Sequence, residues 1–200
     1  MEFHSKGERV IYGPENPLSE QGRDQIRDLA LQLQGASIEA IYSSPYLRTR
    51  QTAEILGEAF SIPEIIVEEN LHDIYAPGWI GFSYDELIRR YAGDIYSQPP
   101  KTEDQETLSA LFRRVTNAFS SICQKEQGKT FAIVSHGDSL RVLMHHIRYP
   151  KEALPPYNEL VRSDYLNKGE AWKIVFGEQY SVQEISSVGR EGRMRGERIS

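Results

Sequence analysis

The sequence predicts an α/β fold built on a mainly parallel sheet. Short apolar runs alternate along the chain with longer segments of helical period. The run at residues 130–134 (Thr-Phe-Ala-Ile-Val) is apolar without polar alternation, as expected of a strand covered on both faces. That run passes through Ser135, His136 and Gly137 straight into an amphipathic helix, the strand–turn–helix step of a parallel sheet.

The elements follow in chain order. Residues 1–3 read as the stub of a strand, and residues 5–18 as a loop punctuated by Gly13, Pro14, Asn16 and Pro17. Ser19 caps a helix that carries Ile26, Leu29, Ala30 and Leu33 on one face, and Gly35 ends it. Residues 38–43 read as a strand. Pro45 opens a helix running to about Phe60, since proline suits a first turn. Residues 65–67 form a short strand, and residues 70–81 an irregular stretch with Pro77, Gly78 and Gly81. Residues 84–91 look helical, and residues 97–103 are a polar, proline-bearing loop. Leu108, Leu111, Phe112, Val115, Phe119 and Ile122 share one face of a longer helix.

After His136, Gly137 permits a sharp turn and Asp138 or Ser139 is expected to cap the next helix. Leu140, Leu143, Met144 and Ile147 form its apolar face. Residues 171–176 and 180–185 read as two edge strands joined at Gly177. Residues 188–200 hold glycine and arginine with no apolar period and read as a polar tail. The expected organisation is a single domain over residues 1–187 followed by that tail.

Composition narrows the function. A chain of 200 residues is enough for one full core. The net charge of −6 argues against a nucleic-acid protein, while a small site can still be locally positive. Cys123 stands alone, so it forms no internal disulfide, and its place in a helical pattern makes it a core or boundary residue. No apolar run reaches the ~20 residues of a membrane span, and no signal-peptide core opens the chain. A cytoplasmic protein without membrane or nucleic-acid partners is expected.

Two stretches carry the chemistry. His136 lies at the carboxyl end of a strand beside a helix N-terminus, an edge where ligands of open α/β sheets bind and where unpaired N–H groups favour anions. Residues 42–54, YSSPYLRTRQTAE, repeat the theme: a strand ends at Ser43-Ser44 and Arg48 falls in the first turn of the following helix. A guanidinium there can grip a phosphate with two parallel hydrogen bonds. Other histidines draw plainer readings. His145 and His146 are adjacent on a helix and face different ways, which suits surface or boundary roles rather than a shared metal. His72 either lines the site or flanks Asp73. Among the aromatics, Tyr75, Trp79, Tyr84 and Tyr91 either line a pocket or simply pack.

Taken together, SSPYLRTRQTAE, VSHGDSLRVL and NPLSEQGRDQ, in that spacing, resemble the histidine phosphatase superfamily, also called phosphoglycerate mutase-like. The resemblance implies a three-layer α/β/α sandwich with its first strand truncated here. It implies that His136 is the second histidine of the site and Arg48 a phosphate-binding arginine, with the Gly137 backbone at the phosphate. His4 takes the place of the phosphorylated nucleophile, although Phe3 stands where the family has arginine and Ser5 where it has glycine. Asp73, in residues 71–81 (LHDIYAPGWIG), takes the place of the proton-donating acid, with Asp138 as the competing candidate. His136 is expected to be protonated.

The implied activity is metal-independent hydrolysis of a small-molecule phosphomonoester through a phosphohistidine, with no cofactor. A phosphoglycerate mutase is the enzyme alternative. A non-catalytic module binding phosphate or sulfate, motivated by Phe3, is the alternative from another class. Oligomeric state is open.

Overall fold

The computed structural model describes residues 10–91, 96, 105–160, 166, 168–177, 181–189 and 195–198. The stub strand and His4, the loop at residues 97–103 and Tyr180 lie outside or mostly outside these.

Several helices begin where a side chain accepts from a free backbone N–H. Ser19 Oγ accepts from Gly22 N and starts α1 (Glu20–Gln32). β1 (Ile38–Ser43) leads to α2 (Leu47–Phe60), which begins two residues beyond Pro45, with Tyr46 at its N-cap. β2 (Ile65–Val67) is followed by two 3₁₀ turns, Glu69–Leu71 and Pro77–Trp79, in the stretch read as irregular. Ser83 and Glu86 form a reciprocal capping box at α3 (Tyr84–Arg90). Thr107 caps α4 (Leu108–Lys125), and β3 (Thr130–Val134) runs into α5 (Gly137–Arg148). A one-turn helix, α6 (Tyr157–Leu160), precedes the strands β4 (Ala171–Phe176), β5 (Val182–Val188) and β6 (Arg195–Arg198).

β2, β1 and β3 make a parallel sheet in that order. Strand side chains alternate between faces, so each strand must satisfy two cores. Ile41, Ala132 and Val134 pack with α1 and α2 around Ile26, Leu29, Ala53 and Leu56. Ala40, Tyr42, Phe131 and Ile133 face the other way, toward Ala118 and Ile122 of α4. Helices therefore cover both faces, and the arrangement is the three-layer sandwich expected. Leu111 of α4 and Val142 of α5 are fully buried in the largest core cluster. Leu111→Ala is expected to cost about 2–5 kcal/mol, read as a lower midpoint in urea unfolding.

The carboxyl-terminal strands depart from expectation. β4 pairs with β5 as foreseen, but β6 adds to β5, giving a separate antiparallel sheet in the order β4-β5-β6. Val188 is buried against the α1–α2 core, and Arg195–Arg198 pair as a strand, so for these residues the polar tail placed at 188–200 is corrected. Backbone hydrogen bonds to β5 supply the order that the side-chain pattern does not announce. Cys123 is buried, as expected. No described helix is long and apolar enough to cross a membrane.

Candidate active site

The register of the parallel sheet brings the two chemical motifs together. Ser43 of β1 pairs with Val134 of β3, and Ser44 N donates to the Val134 carbonyl at 2.9 Å. Both strands thus end side by side, and each opens at once into a helix, α2 or α5. Thr49 Oγ1 donates to the carbonyls of Ser44 (3.0 Å) and Tyr46 (2.7 Å), fixing the turn that aims Arg48.

Arg48 and His136 meet directly. Arg48 Nη2 donates to His136 Nδ1 at 3.1 Å, and Nη1 donates to the Gly13 carbonyl at 3.0 Å. Residue 13 is held there by a clasp in which Ile11 N donates to Phe82 O and Gly81 N to Ile11 O, both at 2.9 Å. The guanidinium also lies 5.0 Å from the Tyr46 ring centroid, and the Tyr46 ring is edge-on to His136 at 4.8 Å.

These contacts decide the state of His136. Arginine only donates, so Nδ1 must present a lone pair to Arg48. The proton therefore sits on Nε2, which donates to Ser44 Oγ at 2.7 Å. The ring is buried, and burial first, then the Arg48 charge, hold its pKa well below the ordinary histidine value. These contacts favour the neutral imidazole, whereas the protonated form expected from sequence is the one that faces a bound phosphate. The reason is local: a proton on Nδ1 would face the N–H of a cation.

Asp73 completes the cluster. Its Oδ2 is 3.5 Å from Arg48 Nη2 and 3.7 Å from His136 Nδ1, and its Oδ1 accepts from Ile74 N at 3.0 Å. Burial, then the charge of Asp138, pushes its pKa up to about 6, against the opposing pull of Arg48. The loop that carries it is laid over the start of α5: Ser135 Oγ donates to the Leu71 carbonyl (2.6 Å) and Ser139 Oγ to the His72 carbonyl (2.8 Å). His72 Nδ1 donates to the Asp73 carbonyl at 2.6 Å, and its ring stacks on Tyr46 at 6.3 Å. His72 therefore flanks Asp73.

Asp138 is not the helix cap. The N-cap of α5 is His136, which makes no side-chain capping bond. The Asp138 carboxylate instead accepts from the hydroxyls of Tyr96 and Tyr157, the latter at 3.2 Å, and lies 3.5 Å from Arg141 Nη1. Burial and then the Asp138 charge raise both phenols, so they stay protonated donors. Gly137 is the first residue of α5, directly beside His136. His145 is buried, with Nε2 against the Ala153 carbonyl at 3.2 Å, so the surface or boundary reading fails for it. Trp79 and Tyr91 pack into the main core, whereas Tyr75 is half exposed.

His4 lies outside the described residues. Arg48, His136, Asp73 and Gly137 converge and together line one open concavity that continues along β3 and β4. Several contributors are silent in the sequence reading. Ser44 and Tyr46 sit inside the quoted motif without an assigned role. Arg114 and Glu106, described below, carry no motif at all.

A cation and an imidazole at the carboxyl edge of a parallel sheet, beside a helix N-terminus, are an arrangement suited to an oxyanion. The sequence profile of the histidine phosphatase superfamily (branch 1) matches residues 3–159. The chain belongs to that superfamily. It is 31% identical over 131 residues to phosphoserine phosphatase 1 of Hydrogenobacter thermophilus, a match covering 63% of this chain and 62% of that protein. It is 28% identical over 187 residues to phosphoglycerate mutase-like protein 4 of Arabidopsis thaliana, covering 88% and 81%. Among solved structures, Bacillus stearothermophilus YhfR superposes with a TM-score of 0.74 at 28% identity, covering 87% of this chain and 86% of that one. The chain spans about three-fifths of the length of the phosphoserine phosphatase it matches.

Proposed function

We propose that the chain is a metal-independent phosphomonoester hydrolase acting through a phosphohistidine. The observation that carries this reading is the meeting of Arg48, His136 and Asp73 at one strand edge. The substrate phosphate lies between Arg48, His136 and the backbone of Gly137. A lone pair of neutral His4 attacks phosphorus in line, the ester P–O bond breaks, and Asp73 gives its proton to the leaving alkoxide. Water then attacks the phosphohistidine, Asp73 accepts its proton, and the P–N electrons return to His4. Charge on the phosphoryl oxygens is met by Arg48 and by the helix N-terminus. A bound dianion favours protonation of His136.

The purified protein is expected to hydrolyse p-nitrophenyl phosphate undiminished in EDTA; loss of activity on chelation contradicts the reading. Transfer to phosphoglycerate in preference to water reassigns it as a mutase.

The raised Asp73 gives a pH dependence with a definite sign. The proton-donating form is lost as pH rises through about 6, so kcat/KM on an alkyl phosphate is expected to fall above that value. The phosphate ester itself titrates near pH ~6. Asp73→Asn separates the two, because only a limb due to Asp73 disappears in the variant.

A further inference from the structure

Arg114 of α4 is the most heavily used side chain near the site, and the mechanism above gives it no task. A guanidinium has five N–H donors. In Arg114 all five have acceptors. Nε and Nη2 hold Glu106 as a fork, at 2.8 Å to Oε1 and 2.7 Å to Oε2. Nη1 donates to the carbonyls of Asn70 (2.7 Å) and His72 (2.9 Å), and Nη2 to the carbonyl of Asp73 (2.9 Å). The Arg114 and Glu106 side chains are only 14% and 12% exposed. Glu106 also pins the next residues: its Oε2 accepts from Tyr75 N at 3.1 Å, and its own N donates to the Tyr75 carbonyl at 2.8 Å.

The gripped groups belong to one short loop, residues 70–75, which has no regular structure beyond the 3₁₀ turn Glu69–Leu71. A loop of that kind holds a side chain poorly unless its carbonyls are tied down. With Ile74 N occupying Oδ1, the tie leaves Oδ2 of Asp73 turned to Arg48 and His136. We propose that Arg114, locked by Glu106, is the positioning residue for the Asp73 carboxyl, holding its loop so that the proton donor faces the leaving oxygen. This rests on the reading of Asp73 as proton donor.

The placement is electrostatic as well as mechanical. The charged and titratable groups facing Asp73 are Arg48 from α2, Arg114 from α4, His136 and Asp138 at the start of α5, and the neighbouring Tyr46 and His72. Arg114 opposes the upward push of burial and Asp138 on the carboxyl. Removing its charge therefore moves the alkaline limb of the pH profile upward. Lysine cannot substitute, having three donors on a single nitrogen and no fork.

Leaving-group dependence tests this. A positioned acid matters for an alkyl phosphate and hardly at all for 2,4-dinitrophenyl phosphate, whose leaving group needs no proton. Arg114→Gln is expected to lower kcat/KM, which reports the phosphoryl-transfer step alone, about 30-fold or more on the alkyl ester and under about threefold on the dinitrophenyl ester. Its alkaline limb moves up, and adding Arg114→Gln to Asp73→Asn costs little more than Asp73→Asn alone. Equal losses on both esters, or losses that multiply in the double variant, overturn the proposal. Should Arg114→Gln fail to fold, Glu106→Gln and Arg114→Lys are judged by the same ratio of substrates. If Asp73→Asn shows no leaving-group dependence, the role of Asp73 falls and the clamp's role falls with it. If Asp73→Asn shows it and the Arg114 and Glu106 variants do not, the clamp alone is refuted.

Discussion

Replacing His4 by glutamine is expected to abolish turnover, with a fall in kcat of about 10⁴ or more, as for removal of a nucleophile whose partners cannot replace it. Glutamine retains polar contacts but has no nitrogen lone pair able to take a phosphoryl group. Phosphate affinity should change far less, because Arg48, His136 and the start of α5 remain. The measurement pairs steady-state kinetics with acid- and base-quenched trapping of phosphoprotein from a labelled ester. Wild type should yield an acid-labile, base-stable phosphohistidine, and His4→Gln none. A variant that keeps its activity shows that another group attacks phosphorus. A wild-type chain that binds phosphate and never turns over favours the non-catalytic module suggested by Phe3.

Arg48→Ala is the second large effect. The guanidinium is mostly buried, donates to Gly13 and His136, and stands 3.5 Å from Asp73. Its loss removes the described cation closest to both the imidazole and the acid. A fall of about 10³ in kcat/KM is expected, the scale seen when one preorganised donor to a developing charge is deleted. Arg48→Lys should recover little, since one ammonium cannot hold the Gly13 carbonyl and face the phosphoryl oxygens together. The change also has a spectroscopic sign. Arg48 holds the His136 pKa down, so in Arg48→Ala the imidazole titration observed by NMR should move upward. A near-normal kcat/KM in Arg48→Ala, with an unmoved His136 titration, contradicts the assigned site.

How much of this is legible in the sequence depends on where each residue sits. β1 is readable to the residue and α1 and α4 nearly so, because apolar spacing marks both helices and Ser19 caps the first. Arg48 and His136 are readable because each lies just beyond a strand, inside a long motif. Arg114 is not. On α4 it looks like one more polar residue on an amphipathic helix, and only the fold lays residues 70–75 across it. Asp138 misleads for a related reason: a capping position is a local inference, whereas the hydroxyls that take its carboxylate come from Tyr96 and Tyr157, distant in sequence. The protonation of His136 is likewise a matter of contacts, set by Arg48 on one nitrogen and Ser44 on the other. β6 is invisible to periodicity because backbone pairing alone defines it.

The central claim is that separate parts of the chain build one cradle for a tetrahedral phosphoryl group. A crystal structure of the full chain soaked in vanadate tests it most directly. The account predicts vanadium bound to the His4 imidazole, its oxygens within hydrogen-bond distance of Arg48, His136 and the Gly137 backbone, and Asp73 beside the apical oxygen. Vanadate bound elsewhere, or a saturated crystal with that edge of the sheet empty, contradicts it.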